Sequence, residues 1–356
     1  MQKKILLIPG DGIGKEIVDE AVKVLNKVAG KFDHEFSYDE ALLGAVAIDE
    51  TGDPYPEDTK KKAREADAIL LGAVGDPKYD DPSLKVRPEQ GILAIRKDLE
   101  LFSNLRPVKI FDALVDSSPL KPEIARNTDL IFFRELTGGI YFGTPRERRD
   151  NGNTAVDTMI YSKDEVRRIS KLAFEAAMKR RKKVTSVDKS NVLECSRLWR
   201  ETVEEVAKGY PEVELEHQLV DSATMRLIKE PTAFDVILTG NMFGDILSDE
   251  AAQVGGSLGM LASASMGEKF ALYEPAHGSA PKYKGLNKAN PIATIMSAQM
   301  MLELSFDMKE EAQAIDKAIS KVLGDGYRTK DIATENTPDE KRLGTKEMGD
   351  MIAQNI

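Results

Sequence analysis

Phe234-Asp-Val-Ile-Leu-Thr-Gly-Asn-Met-Phe-Gly-Asp-Ile-Leu-Ser-Asp249 passes from an apolar, strand-like run through a glycine into a helix. Asp245 and Asp249 are four residues apart, so both carboxylates occupy one helical face, about one turn from each other. Like charges at that spacing disfavour a helix slightly. A nearby positive charge would offset the cost, and a hard divalent cation such as Mg2+ or Mn2+ suits oxygen ligands of this kind. Most acidic pairs at this spacing form a solvated face. This one is followed by the apolar, glycine-rich run Ala251-Ala-Gln-Val-Gly-Gly-Ser-Leu-Gly-Met-Leu261. Acids at a strand-to-helix junction beside apolar surface mark a cleft, because open α/β sheets place their sites there.

The same grammar extends through the chain. Lys4–Ile8 reads as a buried strand, and Ile13, Ile17, Ala21, Leu25 and Val28 then recur at helical spacing. Ala68–Leu71 is a second strand, and Glu89–Leu101 a helix with Ile92, Leu93, Ile95 and Leu99 as apolar positions. Alternating strand and helix signals predict an open sheet with helices on its faces. Ile131–Phe133 and Gly139–Gly143 look like strands, as does Thr154–Tyr161; the polar, turn-rich Thr144–Asn153 between the last two suggests a protruding hairpin over 141–161 able to clasp a second subunit. Ser162-Lys-Asp-Glu165 has the form of a capping box. Val184–Val187 and Asp235–Leu238 are strands framing a helix from Val192 to Lys208, and Pro291–Leu304 is apolar enough all round to be a buried helix. The basic knot Lys179–Lys183 follows a helix and reads as punctuation of its negative end.

A chain of 356 residues exceeds one compact core, so two domains are expected. Net charge is −10 and no long basic run occurs, which argues against nucleic acid as a partner. One cysteine, Cys195, allows neither an intrachain disulfide nor a multi-cysteine zinc site. The sequence shows no signal-peptide layout and no apolar run of membrane-spanning length, so a cytoplasmic protein is expected.

Gly10-Asp-Gly-Ile-Gly14 invites a Rossmann reading, but its third glycine comes one position early for G-x-G-x-x-G, and a tight strand-to-helix turn is preferred. Glu274-Pro-Ala-His-Gly-Ser-Ala-Pro-Lys-Tyr283 is the better nucleotide loop: Gly278, Ser279 and Ala280 allow close backbone approach to a phosphate. Arg96, Arg106 and Arg134 sit in apolar surroundings, and their planar forks match carboxylates. Together they would suit a small dicarboxylate, although any one alone would more often be an ion pair. Tyr141 is a candidate proton donor, Lys189 a lysine beyond a buried strand, and Asp221 a third acid at a strand end.

Four long strings together carry a family resemblance: Arg87-Pro-Glu-Gln-Gly-Ile-Leu-Ala-Ile-Arg96, Arg134-Glu-Leu-Thr-Gly-Gly-Ile-Tyr-Phe-Gly143, Thr185-Ser-Val-Asp-Lys-Ser-Asn-Val-Leu-Glu194 and Asn241-Met-Phe-Gly-Asp-Ile-Leu-Ser-Asp-Glu-Ala-Ala252. On them the chain resembles the isocitrate/isopropylmalate dehydrogenase family of β-decarboxylating dehydrogenases, over nearly its whole length, from Ile8-Pro-Gly-Asp-Gly-Ile-Gly14 to Met348-Gly-Asp350. The resemblance implies a two-domain α/β fold that is not a Rossmann fold, with residues 1–101 and 256–356 in one domain and 102–255 in the other. It implies a homodimer with shared active sites. The three arginines would grip a malate moiety, and Asp221 of one subunit would join Asp245 and Asp249 of the other around Mg2+ or Mn2+. Lys189, again from the neighbouring subunit, would assist loss of the hydroxyl proton, and Tyr141 would protonate the enol. Glu89, Ile92 and Leu93, with Val192 from the partner, would choose the substrate. The apolar pair favours the isopropyl group of 3-isopropylmalate over a third carboxylate, which would be left unpaired. The nucleotide would touch Gly75, Asp76, Pro77, Glu89, Asn191, His277, Gly278, Ser279, Ala280, Lys282, Tyr283 and Asn290.

One departure concerns the cofactor. NAD-using members carry Asp-Ile where this chain has Lys282-Tyr283, the pair of NADP-using isocitrate enzymes. NAD is the family default, while the lysine makes NADP acceptable. The competing readings are a sibling dehydrogenase acting on homoisocitrate, tartrate or malate, and a silent nucleotide-binding homologue. Intact Lys189, Tyr141, Asp245 and Asp249 argue against the second.

Overall fold

Apolar β-branched runs build one large sheet in a computed structural model that describes residues 1–81 and 83–356. The strands are β1 (Gln2–Gly10), β2 (Glu35–Glu40), β3 (Ala68–Ala73), β4 (Ser103–Lys109), β5 (Asp129–Glu135), β6 (Glu147–Arg149), β7 (Thr154–Val156), β8 (Lys183–Asp188), β9 (Glu214–Leu219), β10 (Val236–Thr239), β11 (Ala262–Met266) and β12 (Ala271–Pro275). Ten of them form a sheet in the order β2-β1-β3-β12-β11-β4-β5-β10-β8-β9. Both flanks are parallel, and the centre from β12 through β11 and β4 to β5 is antiparallel. Strands from residues 1–101 and 256–356 occupy one half of this order, and those from 102–255 the other. The halves join at β11 and β4, where Asn104 donates from its amide to Ser263 Oγ at 2.7 Å and to Ser265 Oγ at 3.1 Å.

Helices cover both faces. Gly14–Phe32 buries Ile17, Ala21, Leu25 and Val28 at the expected spacing. Ile292–Leu304 buries residues on most of its circumference, as its uniform hydropathy predicts. Together with Lys309–Gly324 it encloses the largest apolar cluster, which includes Ile295, Ile315, Val322 and Met348. Beneath the second half, Phe174, Trp199 and Val236 form another cluster. Among the described residues no helix is long and apolar enough to cross a membrane.

Several local expectations change. Gly139–Gly143 is not a strand; residues Gly139–Tyr141 form a 3-10 turn. Gly139 takes a φ of +74°, and a Cβ there or at Gly138 would strike the Tyr161 ring, so these glycines exist to wrap that tyrosine. The Thr154–Tyr161 strand shrinks to Thr154–Val156, paired with Glu147–Arg149 in a short hairpin. These arms are almost wholly exposed, and an isolated two-stranded hairpin gains little from lengthening. The helix expected over Glu89–Leu101 runs Pro88–Asp98, and the one expected over Val192–Lys208 runs Glu194–Ala207. The basic knot is more than helix punctuation. Arg180 pairs with Asp129 at 2.8 Å and Asp235 at 2.7 Å, and Arg181 donates to the Phe234 carbonyl, so the knot pins the starts of β5 and β10. The capping box is present as read, with Ser162 and Glu165 bonded reciprocally. No strand is expected from the sequence at β2, β4, β11 or β12.

Candidate active site

β5, β10, β8 and β9 run parallel, so their C-terminal ends share one edge of the sheet. Arg134 lies near the end of β5, the helix Asn241–Val254 follows β10, Lys189 follows β8, and Asp221 lies in the first turn of the helix Val220–Lys229 after β9. This is where open sheets present their functional loops.

Glu89, Ile92, Leu93, Arg96, Arg106, Arg134, Tyr141, Arg146, Asp245 and Ala276 line an open cavity of about 370 Å³. The three predicted arginines therefore converge. All three are buried, and burial pushes the guanidinium groups of Arg106 and Arg134 below their ordinary range, Arg134 to about 10. Arg96 reaches Glu274 at 2.9 Å, Arg106 reaches Asp249 at 3.1 Å and Ser248 Oγ at 2.8 Å, and Arg134 bonds Asp245. The Nε groups of Arg96 and Arg106 are buried and have no hydrogen-bond partner among the described residues. Buried donors left open by the fold are what an anionic ligand would satisfy.

Asp245 also accepts from the Tyr141 hydroxyl at 2.9 Å. Burial alone would raise its pKa, but Arg134, Arg106 and that hydroxyl outweigh burial and hold the carboxyl below the usual range. Asp249 has weaker compensation, and burial raises it. The two acids are thus poised differently. Burial, reinforced by the Asp245 charge, raises the Tyr141 phenol, so it keeps its proton at neutral pH.

The remaining predicted residues form two further groups. Lys189 and Asp221 pair with each other at 2.7 Å, with exposed Asn191 and Val192 nearby in sequence, and none of these lines the arginine cavity. Among the described residues, no three acidic, histidine or cysteine side chains of one chain could hold a metal together. Asp221 therefore does not join Asp245 and Asp249 within the protomer.

The nucleotide residues do gather in part. The Ser279 carbonyl accepts from Ile13 N–H at 2.9 Å, and a Cβ at Gly12 would strike that carbonyl, so the loop lies on the Gly10–Gly14 turn. A Cβ at Gly75 would lie 3.4 Å from Ser279 Oγ and 3.5 Å from Glu89 Oε1, which places these three residues together. Asp76 caps the short turn Pro77–Tyr79. Gly278 has open space beside it, and Ala280 has a φ of +38°. Burial lowers the His277 imidazole, so the ring stays neutral at pH 7. Tyr283 packs against Ile13, Ile17 and Ala289, while Lys282 is exposed. Asn290 is buried, and its amide is engaged by Asp331 at 3.1 Å and by Ile292 N–H at 3.0 Å.

Sequence reading missed two organisers. Asp11, inside the Gly10–Gly14 turn, is 2 % exposed and accepts from the N–H groups of Ala45, Val46 and Gly75 at 2.7 to 2.9 Å. It ties the turn to the Gly75 loop, and its flanking glycines were the only available signal. Glu274, at the head of the nucleotide loop, pairs with Arg96 and so links that loop to the cavity.

The chain belongs to the isocitrate/isopropylmalate dehydrogenase family, whose model matches residues 4–352. Among curated proteins it is 56% identical over 355 residues to the 3-isopropylmalate dehydrogenase of Aquifex aeolicus, covering 99% of this chain and 97% of that one. It is 57% identical over 333 residues to the 3-isopropylmalate dehydrogenase of Geobacillus kaustophilus, covering 93% and 90%. Among solved structures, isocitrate dehydrogenase from Methylococcus capsulatus superposes with a TM-score of 0.88 at 34% identity, covering 99% of both chains. A β-decarboxylating dehydrogenase from Thermococcus kodakarensis gives 0.79 at 32%, covering 99% of this chain and 96% of that one.

Proposed function

We propose that this protein catalyses the oxidative decarboxylation of (2R,3S)-3-isopropylmalate to 4-methyl-2-oxopentanoate, with reduction of a nicotinamide dinucleotide, as a step in leucine biosynthesis. The observation that carries the reading is one cavity in which three buried arginines and Asp245 face apolar Ile92 and Leu93. Close relatives that bear the name of this activity along nearly their full length support it.

The arginines would hold the two carboxylates of the malate moiety by paired N–H contacts. Ile92 and Leu93 are partly buried and would cover the isopropyl group. A third carboxylate there would lack a partner, which disfavours isocitrate-type substrates. The two halves of the sheet would act as domains, 1–101 with 256–356 and 102–255, closing over the cavity to exclude water.

Asp245 and Asp249 offer carboxylate oxygens on one helical face, and an all-oxygen donor set suits Mg2+ or Mn2+. A divalent ion bound there would supply Lewis acidity to the substrate's hydroxyl and to the enolate left by CO2. Asp221 of the partner subunit would complete the set. Lys189 of the partner subunit would take the hydroxyl proton as hydride leaves C2 for the nicotinamide. Tyr141, which keeps its proton at neutral pH, would deliver one to C3 of the enol.

A homodimer accounts for the stranded pair Lys189 and Asp221. Ile160, Val192, Met225 and Ile246 are large apolar side chains each more than half exposed, which a second copy could cover. The cytoplasm is the expected compartment for such a biosynthetic enzyme. NAD is the family's usual oxidant, while exposed Lys282 would attract a ribose 2′-phosphate. The reading is tested by following reduced cofactor and CO2 with 3-isopropylmalate, comparing kcat/KM for NAD and NADP. Absence of turnover with both would end it. A preference for NAD of several orders of magnitude would show that Lys282 does not face the ribose.

A further inference from the structure

We infer that Asn241 is a positioning residue for Arg134: its neutral amide fixes the guanidinium plane and leaves the positive charge directed at the cavity. Asn241 is 1 % exposed and opens the helix that carries Asp245 and Asp249. Its Oδ1 accepts from Arg134 Nε at 3.0 Å and from Nη2 at 2.8 Å. Its Nδ2 donates to the carbonyls of Leu136 at 3.2 Å and Gly138 at 3.1 Å. An asparagine side chain has two acceptor sites and two donors, and all four are used. The amide cannot flip, because a flip would set NH2 against the guanidinium and oxygen against two carbonyls. The backbone N–H of Asn241 donates to the hydroxyl of half-buried Tyr161 at 2.8 Å, a second anchor for the helix start.

The consequence is electrostatic. One edge of the Arg134 fork is engaged by a neutral oxygen, which leaves the second Nη2 hydrogen and both Nη1 hydrogens for charged partners, and Nη1 meets Asp245. A carboxylate in place of the amide would accept the same two bonds and also neutralise the cation, weakening its grip on an anionic substrate, while its second oxygen would face the Leu136 and Gly138 carbonyls that the amide now serves. The inference rests on the proposed function for the identity of that substrate, but the cation and its neutral clamp do not depend on it.

The test compares Asn241→Asp with Asn241→Ser. Wild-type turnover of 3-isopropylmalate is measured first, so failure of the functional reading shows itself separately. Asn241→Asp is expected to raise the KM for 3-isopropylmalate at least roughly tenfold, with a smaller change in kcat. Asn241→Ser, whose shorter side chain loses the clamp but adds no charge beside the guanidinium, is expected to raise it by less than about threefold. Calorimetric binding of malonate, which needs no turnover, should follow the same order. Adding Asn241→Asp to Arg134→Lys should cost far less than adding it to wild type, because the effect passes through the guanidinium. Equal KM values for the two folded single variants, or additive losses in the double variant, would overturn the inference. If Asn241→Asp does not fold, the same cycle run with Asn241→Ser decides it: additivity refutes the link and non-additivity supports it.

Discussion

Replacing Leu93 by alanine should separate recognition of the isopropyl group from the rest of catalysis. Leu93 and Ile92 form the apolar part of a cavity otherwise lined by arginines, Tyr141, Glu89 and Asp245. The isopropyl group has three carbons, and burying each is worth ~0.8 kcal/mol, or roughly 2.4 kcal/mol in all if burial is complete. Leu93 shares that wall with Ile92 and with whatever closes from the partner, so its truncation should remove somewhat under half, about 1 kcal/mol. That corresponds to about a fivefold fall in kcat/KM for 3-isopropylmalate. Malate has no alkyl branch and should change by less than about twofold. Because Leu93 is only partly buried, the folded protein should lose little stability. The assay is initial-rate reduction of cofactor with each substrate across a range of concentrations. A matching loss for both, or no loss for either, would refute the assignment of this wall to the alkyl group.

Other outcomes follow from the same geometry. Lys189→Ala and Asp245→Asn should each be inactive as homodimers, yet mixing their unfolded chains and refolding should restore about a quarter of wild-type activity, since half the dimers carry one intact site. No recovery would mean that Lys189 serves its own chain. His217 is half-buried, its ring nitrogens make no hydrogen bond among the described residues although Glu204 lies 3.4 Å from Nε2, and burial, with Arg200 nearby, outweighs Asp188 and Glu204 and lowers its pKa. The unfolded chain then binds more protons below about pH 6.5, so stability falls as pH drops through that range, and His217→Gln should flatten the slope. Denaturant melts between neutral and mildly acid pH would check this, and an unchanged slope would contradict it.

The strand-to-helix passage from Phe234 to Asp249 was legible because a continuous apolar run and a helical repeat meet there with no ambiguity of period. The buried helix over Ile292–Leu304 was legible for the same reason. The antiparallel centre of the sheet was not: β11 is Ala-Ser-Ala-Ser-Met, whose small residues fit a tight seam but carry no hydrophobic alternation. The turn at Gly139–Tyr141 misled, because β-prone side chains hid glycines selected to enclose Tyr161. At the site, arginines among apolar neighbours announced the cavity, while their buried partners Asn241 and Glu274 did not. An asparagine clamp looks in sequence like an ordinary helix start, and only the tertiary path of β5 brings Arg134 beside it. Lys189 and Asp221 point to the limit of a single chain, since their proposed use needs a second copy.

Turnover of 3-isopropylmalate by the protein after complete removal of divalent ions tests the account most directly. Activity should fall on the order of a thousandfold with EDTA and return with Mg2+ or Mn2+, since Lewis-acid stabilisation is worth several kcal/mol. Undiminished turnover in the stripped protein would contradict the assignment of Asp245 and Asp249 as ligands of a catalytic cation.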